Sequence, residues 1–213
     1  MAELIRDLDA RVIARNLETI RERVGDRVQI LAAVKYVATE ELGVLAEAGV
    51  TLVGENRAQA LAEKHAAHPD TFSWDFIGHL QSRKVRDVVP LTRLIHSVSS
   101  DSALRQVARH GTAGKRVLIE VNVAHDDGKS GVLPGALGAM LSAADQAGVN
   151  VVGLMTMPPL VTDPEDSRRW FAALAELASA HGLHELSMGT SQDYAVAAQE
   201  GATIVRVGSG LYR

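Results

Sequence analysis

Eight short apolar runs, separated by stretches with helical spacing, constrain this chain more than any other feature. The runs fall at 29–36, 51–54, 73–77, 94–98, 116–123, 150–157, 185–188 and 203–207, and each is a predicted strand. The intervening segments carry helix signals. Thr39 caps a helix with Glu40 and Glu41 in its first turn, and Ala48-Gly49 stops it. Further helices are expected at 55–66, at 81–88 before Pro90, from a capping Asp101 to His110, from Pro134 to Ala147, at 164–180 and at 192–199. Ahead of the first strand, residues 3–24 read as one amphipathic helix, with Ile5, Leu8, Val12, Asn16, Ile20 and Val24 on one face and Gly25 at its end.

Near-continuous apolar strands are those buried on both faces, and strands joined by helical crossovers form parallel sheets. Eight such units close naturally into a (β/α)8 TIM barrel, here a single domain over 1–213 with an extra N-terminal helix. The rival is an open doubly wound sheet. It usually has fewer strands and often carries a Gly-rich nucleotide fingerprint, which is missing here.

Composition removes several function classes. With no cysteine there are no disulfides, thiolate metal sites or cysteine nucleophiles, which fits a cytoplasmic protein. The net charge of -4 and the lack of a Lys/Arg block argue against a nucleic-acid partner. The charged start, Met1 to Asp7, is unlike a signal peptide, and no apolar run approaches the ~20 residues that span a bilayer. A monomer is expected.

In a barrel of this kind, function gathers where strands end. Lys35 closes the first apolar run. Burial there would lower its pKa and leave a neutral amine, a nucleophile toward aldehydes, although a strand-end lysine can also reach solvent. Gly208-Ser209-Gly210 follows the eighth run and Ser191 the seventh, where barrels often bind phosphate; the bland alternative is a tight turn. Arg206, inside the eighth run, needs a partner: a carboxylate such as Glu55, or an acceptor on a ligand. Asn56 and His79 end the second and third runs and are placed to touch the same ligand, as is Met155 on the sixth.

Other motifs fail. Gly128-Lys129-Ser130 resembles the end of a P-loop, but the glycine required five residues earlier is Val123. The pairs His65/His68 and His181/His184 lack a third ligand and read as surface helix. Asp126-Asp127-Gly128 lacks the remaining calcium ligands and reads as a turn.

From about residue 29 onward the chain resembles the pyridoxal phosphate homeostasis proteins, single-domain relatives of the alanine racemase barrel. The resemblance is carried by Gly54-Glu55-Asn56, Phe76-Ile77-Gly78-His79-Leu80-Gln81, Lys129-Ser130-Gly131, Gly153-Leu154-Met155-Thr156-Met157-Pro158, Met188-Gly189 and Ser191. It implies pyridoxal 5'-phosphate (PLP) held as a Schiff base on Lys35. It also implies phosphate contacts from Ser191, Gly208 and Ser209, an Arg206 contact to the pyridine nitrogen, and Asn56 beside the ring. Val34 stands where the family often has Ser or Thr, Thr190 departs from the usual Met-Gly-Met-Ser, and Ser209-Gly210-Leu211-Tyr212-Arg213 departs from the usual C-terminal segment. Family members are carriers or regulators of the cofactor, with apo PLP-dependent enzymes as expected recipients.

The alternatives are a PLP enzyme with weak racemase or lyase activity, and a phosphate-ligand barrel that forms no Schiff base. An arginine on the ring nitrogen weakens the electron sink without abolishing catalysis. A two-base racemase also takes a tyrosine from an added β-domain, whereas this sequence stops at Arg213. Tyr36, next to Lys35 on a strand, should point away from it. These points favour a carrier.

Overall fold

The computed structural model describes residues 4–112 and 114–213. The elements are α1 (Ala10–Val24), β1 (Gln29–Ala33), α2 (Leu42–Glu47), β2 (Leu52–Glu55), α3 (Ala58–Ala67), β3 (Ser73–Phe76), α4 (Val85–Val88), β4 (Leu94–Val98), α5 (Asp101–His110), β5 (Arg116–Glu120), α6 (Leu137–Gln146), β6 (Asn150–Met155), α7 (Arg168–Ala180), β7 (Glu185–Ser187), α8 (Tyr194–Gln199), β8 (Ile204–Val207) and α9 (Ser209–Tyr212). The eight strands pair in sequence order, all parallel, and β8 closes on β1 with Ile30 opposite Val205 and Ala32 opposite Val207. The (β/α)8 barrel is therefore the fold, and the open sheet is excluded.

Side chains alternate across each strand, so a barrel has two cores. The outer one lies between sheet and helices and includes Val53, Phe76, Ile95, Val205, Leu61, Leu104 and Phe171. The inner one is a plug of Leu31, Leu52, Leu94, Leu118, Met155 and Ile204. Two residues onward along the strands the plug changes character. Leu94 is followed by His96, Leu118 by Glu120 and Ile204 by Arg206, all buried. Apolar filling thus gives way to buried polar groups toward the strands' C-terminal ends.

Several predicted boundaries move. The N-terminal helix starts at Ala10, not residue 3; residues 1–3 lie outside the described residues. Asp9 caps it, its carboxylate accepting from the amides of Arg11 and Val12, and Asp7 adopts a φ of 57°, which no helix continues through. Ile5, expected on the helix, instead bridges to Val37. Asn16 interrupts the apolar face because its amide donates to the carbonyls of Leu211 and Arg213, fastening α1 to the chain's end. Ser100, not Asp101, caps α5, and no side chain caps the segment at Thr39. Strands β1, β5 and β6 stop two or three residues before their apolar runs do, because the runs continue into turns at the barrel rim. His65 and His68 are not plain surface groups: they pack against Trp74 and Phe72, with ring centroids 5.9 Å and 6.0 Å apart.

Candidate functional site

Lys35 stands at the barrel mouth, in the turn after β1, and is exposed. Of the two readings of this lysine, the one that reaches solvent holds, and it stands in a turn rather than in the strand. The Val37 amide donates to the Val34 carbonyl at 3.0 Å, closing a turn around Lys35-Tyr36. Strand alternation no longer applies there. Lys35 Nζ lies 5.0 Å from the centroid of the Tyr36 ring, so Tyr36 does not point away from it.

Two buried groups hold the backbone just before Lys35. Tyr212 donates its hydroxyl to the Ala33 carbonyl at 3.1 Å. Lys64 donates to the Val34 carbonyl at 2.6 Å and to Glu55 at 2.6 Å. The other Glu55 oxygen accepts from the amides of Asn56 and Arg57 at 2.6 and 3.2 Å. One carboxylate therefore ties the turn carrying Lys35 to the turn carrying Asn56. Glu55 is thus committed to Lys64 rather than to Arg206.

The ends of β7 and β8 meet beside this turn. Ser191 Oγ accepts from the amides of Gly208 and Gly210, each at 3.1 Å. Those two amides converge on one oxygen, the geometry an anion's oxygen requires. Ser209 opens the short helix α9 and is exposed. Ser191 is aimed by its own turn. Buried Asp193 accepts from the Thr190 amide at 2.7 Å and hydroxyl at 3.1 Å, and from Ser167 at 3.0 Å. Thr190, a departure from the family pattern, forms that brace together with Asp193.

Arg206 is buried below the mouth. It donates to Ser187 Oγ at 2.5 Å, the Thr156 carbonyl at 2.8 Å and Met157 Sδ at 2.9 Å. Those bonds leave two of the five donors of a guanidinium. Burial lowers its pKa to about 10, against the charges of Glu120 and Asp193, so it remains a cation at neutral pH. Glu120 accepts from the Ser130 hydroxyl at 2.5 Å. Burial raises its pKa, opposed by Ser130 and by the charges of Arg206, His79 and Lys129.

His79 is exposed at the rim, whereas Met155 belongs to the inner plug and forms floor rather than wall. The structure thus brings Lys35, Asn56, Ser191, Arg206, Gly208 and Ser209 to one end of the barrel. Glu120, Lys64, Asp193 and Tyr212 were not singled out from sequence. Their signal was a polar residue inside an apolar pattern, or, for Tyr212, none.

At this mouth Asn56 Oδ1 and Glu120 Oε2 are buried with no hydrogen-bond partner among the described residues. Orphaned acceptors, converging amides, spare guanidinium donors and an exposed amine together suit an anionic aldehyde with a ring. A cavity of about 400 Å³ at the other end of the barrel includes Arg93, Lys115 and Arg116 in its lining. Those cations are already engaged. Arg93 pairs with Asp75, Arg116 with Glu185, and Lys115 with the carbonyls of Val89 and Thr92.

Fold and site define a (β/α)8 barrel with a lysine and a turn of converging amides at its C-terminal mouth. Residues 7–213 match the family described as alanine racemase, N-terminal domain, and the chain belongs to it. It is 36% identical over 217 residues to the pyridoxal phosphate homeostasis protein of Aquifex aeolicus, covering 94% of this chain and 95% of that one. The structure of PipY from Synechococcus elongatus with PLP bound superposes with a TM-score of 0.84 at 32% identity, covering 94% of this chain and 100% of that one. Alanine racemase from Corynebacterium glutamicum shares the fold, with a TM-score of 0.76 at 16% identity, over 96% of this chain and 61% of its own.

Among the described residues, no helix is long and apolar enough to cross a membrane.

Proposed function

We propose that this chain binds PLP at the barrel mouth, holds it as a Schiff base on Lys35, and serves as a carrier or regulator of the cofactor rather than as an enzyme. One observation carries the reading: an exposed primary amine and a pair of converging amides occupy neighbouring strand ends of a single mouth. The homeostasis proteins it resembles and the PLP-bound PipY structure support it. In this reading Gly208, Ser209 and Ser191 hold the phosphate, Arg206 donates to the ring nitrogen, and Asn56 and His79 flank the ring above Met155. The cofactor supplies an aldehyde, which condenses reversibly with an amine and releases water.

The residues favour a carrier on two grounds. A cationic donor at the ring nitrogen disfavours its protonation and weakens the electron sink. Lys35 is exposed, so water and other amines can reach the linkage, whereas catalysis at such a centre calls for their exclusion. The reading takes residues 1–213 as one unit, a cytoplasmic monomer that hands PLP to apo PLP-dependent enzymes. A second reading, weak amino-acid chemistry, is favoured by Glu120, a buried carboxyl at the mouth with a raised pKa.

The test is the absorbance spectrum of the PLP-loaded protein before and after borohydride, with the modified peptide identified. A phosphopyridoxyl mass on the Lys35 peptide is expected, with loss of the Schiff-base band in Lys35→Ala. A label elsewhere, or a full band in that variant, would overturn the assignment. Exchange of an amino acid's Cα hydrogen with deuterated solvent, lost in Lys35→Ala, would instead select the enzyme reading.

A further inference from the structure

A chain of hydrogen bonds crosses the inside of the barrel and ends on Arg206. Arg93, just before β4, grips Asp75 with two bonds, Nε to Oδ1 at 3.0 Å and Nη2 to Oδ2 at 2.6 Å. His96 Nε2 lies 3.0 Å from Asp75 Oδ2, and its Nδ1 lies 2.8 Å from Ser187 Oγ. Ser187 Oγ in turn lies 2.5 Å from Arg206 Nη1. Strands β3, β4, β7 and β8 each supply a member, and Asp75, His96 and Ser187 are fully enclosed.

The direction of every bond follows from which groups can donate. Arg93 and Arg206 only donate. Burial pushes the Asp75 carboxyl up, but hydrogen bonds from His96 and Arg93 and the Arg93 charge work against it; the carboxyl is held below its ordinary value, so it stays ionised and only accepts. Burial pushes His96 down beyond what Asp75 restores, so the ring is neutral. His96 must then donate from Nε2 and accept at Nδ1. Ser187 must give its one hydrogen to Nδ1, which leaves its lone pairs for Arg206. A protonated His96 would strand the Ser187 hydrogen and press two cations against one hydroxyl. Only the neutral ring satisfies the set.

Filling the barrel does not require this chain. The layer below it is made of leucine, isoleucine and methionine, and such side chains fill a barrel without the cost of burying charge. The polar members lead to Arg206.

We propose that His96 and Ser187 are positioning residues for the cofactor, fixing the Arg206 guanidinium so that its spare donors face the ring nitrogen at the mouth. The proposal rests on the PLP reading above. A hydroxyl that donates toward the Asp75-backed imidazole is a stronger acceptor for Arg206, so the guanidinium is held in place and kept charged.

Two measurements test it. In PLP-free protein with nitrogen-labelled histidine, NMR should show His96 neutral, with hydrogen on Nε2 and none on Nδ1, across neutral pH. Hydrogen on Nδ1 would overturn the proposal. In loaded protein, Ser187→Ala and His96→Leu should weaken PLP binding about tenfold, the loss of one charge-assisted bond. They should also shift the pH profile of the bound chromophore. His96→Gln, whose amide offers one donor and one acceptor, should restore much of both. The charged groups facing His96 are Asp75, Arg93 and Arg206, and each is kept in all three variants. If His96→Leu does not fold, Ser187→Ala removes a single oxygen and still decides. A labelled wild type with an unchanged Ser187→Ala variant sinks this proposal alone. A wild type that takes no label on Lys35 sinks the PLP reading and this proposal together.

Discussion

Ala33 and Val34 have no functional side-chain group, yet their carbonyls decide where the next residue, Lys35, stands. Tyr212 holds one and Lys64 the other, and Lys64 is also the only cation bonded to buried Glu55 among the described residues. A buried ion pair is weak evidence of stability, but breaking one leaves an uncompensated charge. Lys64→Met should therefore cost about 3–5 kcal/mol in denaturant unfolding, and loosen the Lys35 turn. Lys64→Met with Glu55→Gln should regain most of that loss, since both charges are then gone. Equal destabilisation in the single and double variants would mean that the pair is not what holds the turn. At this scale the sequence made part of the site legible. Lys35, Asn56, Ser191, Arg206 and Gly208 stood out as polar or small residues ending apolar runs. The sequence leaves open whether Arg206 meets Glu55 or a ligand, because strand ends alone give no azimuth around the barrel. Asp75 and Ser187 were passed over inside short apolar runs, although the parity of Leu94/His96 and Ile204/Arg206 marks an inward polar layer.

The elements were legible in number and order because the alternation of apolar run and helix is a local pattern, while their ends were not. Strand β1 was expected to reach Tyr36 because hydropathy does not distinguish a strand from the turn that buries its next apolar residue. Apolar spacing extends α1 too far toward the N-terminus because Ile5 and Leu8 keep it; the Asp9 cap is the available stop signal. Between elements, Gly78 has a consequence no pattern reveals. A Cβ there would lie 2.0 Å from the Asn56 carbonyl oxygen, so the turn after β3 fits against the turn after β2 only without a side chain. The Gly78 carbonyl is also held by the Ser97 hydroxyl, which prevents a simple retreat. Gly78→Ala should cost about 1–3 kcal/mol, the range for overpacking, and weaken PLP binding by displacing Asn56. Normal stability with normal binding would show that the turns have room to separate.

Across the whole molecule, the polar layer inside the barrel makes stability depend on pH in a definable window. His96 has an ordinary value of 6.5, and burial lowers it in the folded state. The unfolded chain therefore takes up a proton below about pH 6.5 that the folded barrel refuses. Stability from this residue is complete above that pH and declines as pH falls toward the folded value, at up to about 1.4 kcal/mol per pH unit. Asp75 acts lower. Its pKa is depressed from 3.8, so its contribution is present above that value and is lost only as pH falls through the still lower folded one. Glu120 has the opposite sign. Its pKa is raised from 4.5, so protonating it favours the folded state between that value and the folded one and offsets part of the His96 loss. Denaturant unfolding of PLP-free protein between about pH 5 and 7.5 should show a falling acid limb, which His96→Gln flattens and Glu120→Gln steepens. A limb that stays level to pH 5 in Glu120→Gln, where that offset is gone, would mean that His96 is protonated inside the barrel. In that case Ser187 could not serve both neighbours, and the bond orientation inferred for Arg206 would fail with it.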